Sequence, residues 1–459
     1  MLPSIEQPAF KTAAALGADL RAGRLDACDL IEETLAAIAA HPDKAIFIEV
    51  TAERARREAR AARARLKSGI VLSALDGVPM AWKDLFDVED RVTTAGSVVL
   101  KDGAPARRDA ALLNAAGHAG LVTLGLVNMT EFAYSGIGLN PHYGTPRNPR
   151  DSKVARSPGG SSSGSGVVVA AGLSPLAMGT DTGGSVRVPA SFNGVVGYKS
   201  STGRYAMDGV FPLSRTLDTP GPLAHTVEDC VLADAALRGI LVPEARRGTV
   251  EGLRICVPET LVLDGCEPAV AANFEAAIER LAQAGARVER RLLLQLAAVP
   301  ELIAKYGHLL GAEAMQLHRH RVLGPDAARM DRRVVRRILL AEKMTAVDLV
   351  EVQQTRPRLI AEVDAAIGNA IVAFPTTPNV AMPIAPLEAD DEVFFRENAK
   401  TLRNTMLGNF LDWCGVAIPS GVDKDAMPTS FLLSATHGRD VALLAAALAA
   451  EPLIRVNEV

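Results

Sequence analysis

The apolar positions of this chain repeat with two different periods, and the change between them divides it into three stretches. Residues 9–67 carry a helical period rich in alanine and arginine. Within them TAERARREARAARARLK (51–67) sets its alanines and Leu66 on one side and its arginines on the other, which predicts a helix with a solvated basic face. From 70 to 240 short apolar runs alternate with helix-period segments, the pattern of an α/β sheet. The third stretch covers about 250–459. There LRICVP (253–258) predicts a strand, PAVAANFEAAIERLAQAGA (268–286) a helix, and VERRLLL (288–294) a returning strand. Residues 297–368 read as mostly helical, with a basic face in DRRVVRRILLAEK (331–343). AIVAFPTTPNVAMP (370–383) then reads as a buried strand entering a proline-broken loop. No repeat, low-complexity tract or clear linker interrupts the chain.

Two glycine-rich runs stand out within the α/β stretch: PGGSSSGSG (158–166) and GTDTGGSVRVP (179–189). Glycine at this density lets backbone N–H groups close around a small anion, either a phosphate or the oxyanion of a tetrahedral intermediate. No lysine follows either run at the Walker position, and no strand-borne GxGxxG opens a helix, so phosphate binding is the weaker reading. PLAMGTD (175–181) predicts a strand, Thr182-Gly183-Gly184 a turn, and SVRVPASF (185–192) a helix start. Ser185 is thereby placed on a strand-to-helix turn, where unpaired amides and the helix dipole favour developing negative charge. Ser161 falls at a second predicted helix N-terminus.

A serine hydroxyl needs a base. The histidines (41, 118, 142, 225, 308, 318, 320 and 437) lie in no recognisable triad context and read as surface or packing residues. Lys83, in GVPMAWKDLF (77–86), follows an apolar run that would bury its stem; burial disfavours the ammonium, and a neutral lysine accepts protons. Strand alternation turns the adjacent Asp84 to the opposite face.

Together these three runs resemble the motif blocks of the amidase signature family. Lys83 matches that family's catalytic lysine, Ser161 its bridging serine on a cis peptide, and Ser185 its acyl-accepting nucleophile; Ser161 and Ser185 lie 24 positions apart, as in the family. The likeness continues through GLVNMTEFAYSG (125–136), NPRD (148–151), NGVVGYKSSTGR (193–204) and FPLSRTLDTPGPLAHTVED (211–229). It implies a single α/β domain over 1–459, with a mixed central sheet flanked by helices on both sides. The implied oxyanion donors are the backbone N–H groups of Thr182, Gly183, Gly184 and Ser185, with Asp181, Arg187 and Ser162 in support. Ala133 and Tyr134 would lie near the scissile carbonyl, and residues 300–345 with the 376–400 loop would cover the entrance. The implied partners are a small amide and water, with no cofactor or metal; a homodimer is compatible.

At 459 residues and 48% hydrophobic content the chain can bury a large core. A net charge of −4 gives no nucleic-acid footprint, and no apolar run spans a membrane or resembles a signal peptide. Five cysteines without a CxxC pattern suit reduced thiols and a cytoplasmic location. Three readings stay open: a free-standing amidase (or carbamate or urea-type hydrolase), the glutaminase subunit of a tRNA-dependent amidotransferase, and a non-catalytic anion binder. The run GRYAMDGVFPLSRTLDTPGP (203–222) favours the first over the second.

Overall fold

A computed structural model describes residues 11–455. Its strands are β1 (Phe47–Val50), β2 (Pro79–Lys83), β3 (Val122–Val127), β4 (Leu176–Asp181), β5 (Val196–Lys199), β6 (Thr219–Ala224), β7 (Arg254–Pro258), β8 (Arg287–Arg291), β9 (Ile371–Pro375), β10 (Cys414–Val422) and β11 (Pro428–Ala435). They form one mixed sheet in the order β1-β3-β2-β4-β6-β5-β10-β11-β9-β7-β8, with helices on both sides, the α/β architecture expected.

Parallel pairing is confined to β3-β2-β4 near one end and β9-β7-β8 at the other. The sequence accounts for the first group: β2, β3 and β4 are buried at every position, the condition of strands covered on both faces. The cover includes the helix Ser163–Ala170, which packs on β4, β2 and β3 and buries seven of its eight residues. The antiparallel hairpin β10–β11 pairs with β5 on one side and β9 on the other. Among the described residues, it is the only sheet contact joining the six-stranded and three-stranded portions.

Two expectations need correction. Residues 9–67 are not helical throughout: three helices are present (Ala13–Arg21, Ala27–Ala40 and Ala52–Lys67), but β1 intervenes and pairs antiparallel with β3. Its four residues are too few for a period to reveal. Residues 9 and 10 lie outside the described region. The 376–400 segment is not simply a loop, because after the prolines it forms the helix Ile384–Ala389 and the first half of the helix Asp391–Phe410. Asp390 starts the second helix by accepting the N–H groups of Glu392 and Val393. The basic helix Ala52–Lys67 turns Ala55, Ala59 and Ala62 inward, as its pattern predicts. Among the described residues, no helix is long and apolar enough to cross a membrane.

Candidate active site

β2 and β4 run parallel as neighbours, with Trp82 opposite Met178. Their carboxyl ends therefore release Lys83 and the Thr180-Asp181 pair side by side, at the sheet edge where open α/β folds place ligands. The chain leaves β4 through a turn and enters the helix Arg187–Asn193, so Ser185 stands just before a helix start. Ser161 precedes the helix Ser163–Ala170, and the Gly160–Ser161 peptide is cis.

Lys83 and Ser161 are fully buried, and Ser185 is 4% exposed. The Lys83 amine donates to Ser161 Oγ at 2.7 Å and to Thr180 Oγ1 at 2.9 Å. Burial pushes its pKa from 10.5 down to about 7, against the opposing pull of Asp218 and Asp181. Asp84 is buried too, and its carboxylate accepts from Thr94 and the Gly96 N–H instead of the lysine. The two serine loops are stitched together: Ser162 N–H donates to Ser185 O at 3.3 Å, and Ser162 Oγ donates to Thr180 O at 3.3 Å.

Asp181 organises the turn. Its Oδ1 accepts the Gly184 N–H at 2.8 Å, and its Oδ2 accepts those of Val186 and Arg187. The Arg187 guanidinium grips the same carboxylate through Nε and Nη2, at 2.9 and 2.8 Å, and Asn409 adds a bond of 2.9 Å. Burial acts to raise the Asp181 pKa, but the charge and bonds of Arg187 hold it well below the usual carboxylate range. The Gly184 N–H, expected among the oxyanion donors, is engaged by Asp181. Opposite the turn, Thr182 Oγ1 donates to Asp218 at 2.5 Å, and Thr405 Oγ1 donates to Gly183 O at 2.7 Å.

A cavity of about 550 Å³ reaches this turn at Gly183 and is walled by Tyr134, His308, Arg337, Met344 and Met406. Most of its wall comes from residues 303–344, within the stretch expected to cover the entrance. The 376–400 segment does not line it; Leu402 and Met406, further along the same helix, do. Tyr134 faces the cavity, whereas Ala133 is buried behind it with a positive φ of 60°. Of the histidines, His318 packs against Phe132 and Phe211, and His320 is exposed. Sequence reasoning did not single out Thr180, Asp218, Thr405, Asn409, His308 or Arg337. Thr180 and Asp218 stood inside quoted runs, but nothing in one dimension marked them as neighbours of Lys83. Among the described residues, no group of three or more His, Cys, Asp or Glu side chains could hold a metal ion.

The site thus sets a desolvated lysine against a serine beside a glycine-rich turn, at the end of two parallel strands of an α/β sheet. The chain belongs to the amidase family, whose profile matches residues 29–444, and is an amidase signature enzyme. It is similar to the 2-amino-5-chloromuconic acid deaminase of Comamonas testosteroni, with 36% identity and 87% of each chain covered. It is 33% identical to a subunit of the glutamyl-tRNA(Gln) amidotransferase of Thermobifida fusca, over 97% of this chain and 96% of that one. Among solved structures, one described only as an amidase superposes with a TM-score of 0.85 at 28% identity, covering 97% of this chain and all of the other. A chain from a vestigial complex linked to the origins of an s-triazine catabolic enzyme superposes with a TM-score of 0.84 at 31% identity, covering 96% and 98%.

Proposed function

We propose that the chain hydrolyses the C–N bond of a small, non-peptide amide through an acyl-enzyme on Ser185. Lys83 is the base and Ser161 the bridge. The observation that carries this reading is the environment of Lys83: a fully buried amine whose pKa falls to about 7 and whose two side-chain contacts are both hydroxyls. When the amine is neutral, its contact with Ser161 can reverse, with the Ser161 hydroxyl donating to Nζ. Ser161 can then take the Ser185 proton as the Ser185 Oγ–carbon bond forms. The N–H groups of Thr182, Gly183 and Ser185 hold the oxyanion, each such donor being worth about 3 kcal/mol. Collapse breaks the C–N bond, the nitrogen leaves with the proton returned through Ser161, and water then releases the acid from Ser185 by the same relay. Asp181, Arg187 and Ser162 position the turn and take no part in the bond changes.

The test is a mass measurement. A fluorophosphonate should add to Ser185 in the wild-type protein and not in Ser185→Ala, which should also lose amide turnover while keeping its fold. Substantial hydrolysis by Ser185→Ala would overturn the assignment. A panel of primary amides, anilides, carbamates, biuret-like ureas and glutamine then identifies the leaving group.

A second reading, the glutaminase component of an amidotransferase, draws support from the near full-length likeness to the Thermobifida protein. It predicts co-purification with larger partner subunits and release of ammonia from glutamine. A free amidase acts alone. Non-catalytic anion binding is the weakest reading, since it gives no reason to bury a lysine against two hydroxyls.

A further inference from the structure

The helix Arg332–Leu339 carries four arginines, and three have carboxylate partners. Arg332 pairs with Asp391 at 2.8 Å, Arg333 with Asp331 at 2.7 Å, and Arg336 with Glu392 at 2.6 Å. The fourth, Arg337, lines the cavity that reaches Gly183. Its one hydrogen bond within the described residues is Nη1 to the backbone oxygen of Tyr134, at 2.5 Å, and its guanidinium lies 4.4 Å from the centre of the Tyr134 ring. No carboxylate of the described residues pairs with it. A guanidinium has five N–H donors in a fork that matches a carboxylate, so most of this capacity faces no protein acceptor. Desolvation lowers its pKa, yet an arginine stays charged throughout the working pH range.

His308 lines the same cavity. Its Nδ1 accepts the Leu310 N–H at 3.0 Å, which leaves the ring proton on Nε2, 3.1 Å from Met406 Sδ. A thioether is a weak acceptor, so this N–H too is free to make a better bond. Burial, with Arg337 nearby, pushes the His308 pKa down to about 4, so the ring is a neutral donor near pH 7. The remaining charges on the wall are Lys305, Lys343 and Asp348. Asp348 is occupied in capping its own helix, accepting from the Thr345 N–H and hydroxyl. The lining thus includes three cationic residues, of which Lys305 and Lys343 are exposed and Arg337 is half-buried, against one committed carboxylate, in a chain whose net charge is −4.

We infer that Arg337, with His308 beside it, is a carboxylate-receiving subsite of the Ser185 cavity, so that the amide substrate carries a carboxylate. The inference rests on the proposed reaction at Ser185, and it assigns Arg337 to binding, away from the reacting atoms. A carboxylate here would satisfy the guanidinium fork and the imidazole N–H together. It would also anchor one end of the substrate while the carbonyl meets the turn at Gly183.

The experiment reads binding, so it is independent of whether Ser185 is the nucleophile. The full-length Ser185→Ala protein is titrated calorimetrically with succinamate and 4-carbamoylbenzoate, and with their uncharged counterparts succinamide and terephthalamide. Hydrolysis of any of these during titration would instead report a failure of the Ser185 assignment. The carboxylated amides should bind at least about tenfold more tightly. Arg337→Gln in the same background should bring each pair to parity, and Arg337→Lys should keep part of the preference. A second measurement needs no Arg337 variant: succinamate, and not succinamide, should protect Arg337 from phenylglyoxal, read by peptide mass spectrometry. Equal binding within each pair, a preference that survives Arg337→Gln, or the absence of protection at Arg337 would overturn the proposal.

Discussion

Lys83 and Lys199 are both fully buried lysines, and what they touch separates their roles. Lys199 donates to the carbonyl oxygens of Ser200 and Trp413, which cannot pass a proton onward, whereas Lys83 meets the hydroxyls of Ser161 and Thr180. With a pKa near 7, Lys83 should give kcat/KM for an amide an acid limb rising through about pH 7. Asp218 supplies negative charge that favours the ammonium. In Asp218→Asn that support is lost, so the Lys83 pKa should fall and the limb should move to lower pH; a pH–rate profile that stays put or moves upward would contradict the coupling. Stability is linked to the same group. The unfolded chain holds more protons than the folded one between about 7 and 10.5, so the cost of burying Lys83 is full below pH 7 and fades toward pH 10.5. Lys83→Met should therefore raise the melting temperature more at pH 6 than at pH 10. The apolar run before Lys83 made its burial legible. The hydroxyl of Thr180 and the charge of Asp218 were not, because they come from β4 and from the loop before β6, and only folding brings them to β2.

The strand-turn-helix unit around Ser185 could be read from sequence almost residue by residue, since a strand, a glycine turn and a helix start follow one another without interruption. What that reading missed is how tightly the unit is held from outside. Gly184 has a φ of 136°, and a Cβ there would come within 2.2 Å of Thr405 Oγ1. Gly184→Ala should cost about 2–4 kcal/mol, measured by denaturant titration. Adding Thr405→Ala should recover part of this, because it removes the close contact and leaves the backbone conformation unfavourable. The element that meets Gly184 lies more than 200 residues along the chain, so no local pattern announces it. β1 was hidden for a different reason: four residues between two alanine-rich helices offer too few positions to show alternation.

At the scale of the whole molecule, the α/β class was legible from alternating apolar runs, but the strand order was not, because the sheet centre is occupied by chain that arrives last. The hairpin β10–β11 links two portions that, among the described residues, share no other strand pairing. If the sheet unfolds as one unit, both portions should lose structure together. The two tryptophans report on the six-stranded portion and on the hairpin, and circular dichroism on the whole: Trp82 lies in β2, and Trp413 immediately precedes β10; both are buried. Single-tryptophan variants, Trp82→Phe and Trp413→Phe, should show coincident fluorescence and circular-dichroism midpoints in urea, each at its own stability. Two separated transitions would mean that the hairpin does not couple the portions. The same arrangement sets a timetable for synthesis. Lys83, Ser161 and Ser185 have all left the ribosome well before residue 414, yet until the hairpin follows, β5 and β9 each present an unpaired edge to the surrounding proteins. The nascent protein therefore carries all three side chains of the proposed relay through a long interval in which its foremost hazard is aggregation, and the demand for chaperones should be concentrated there.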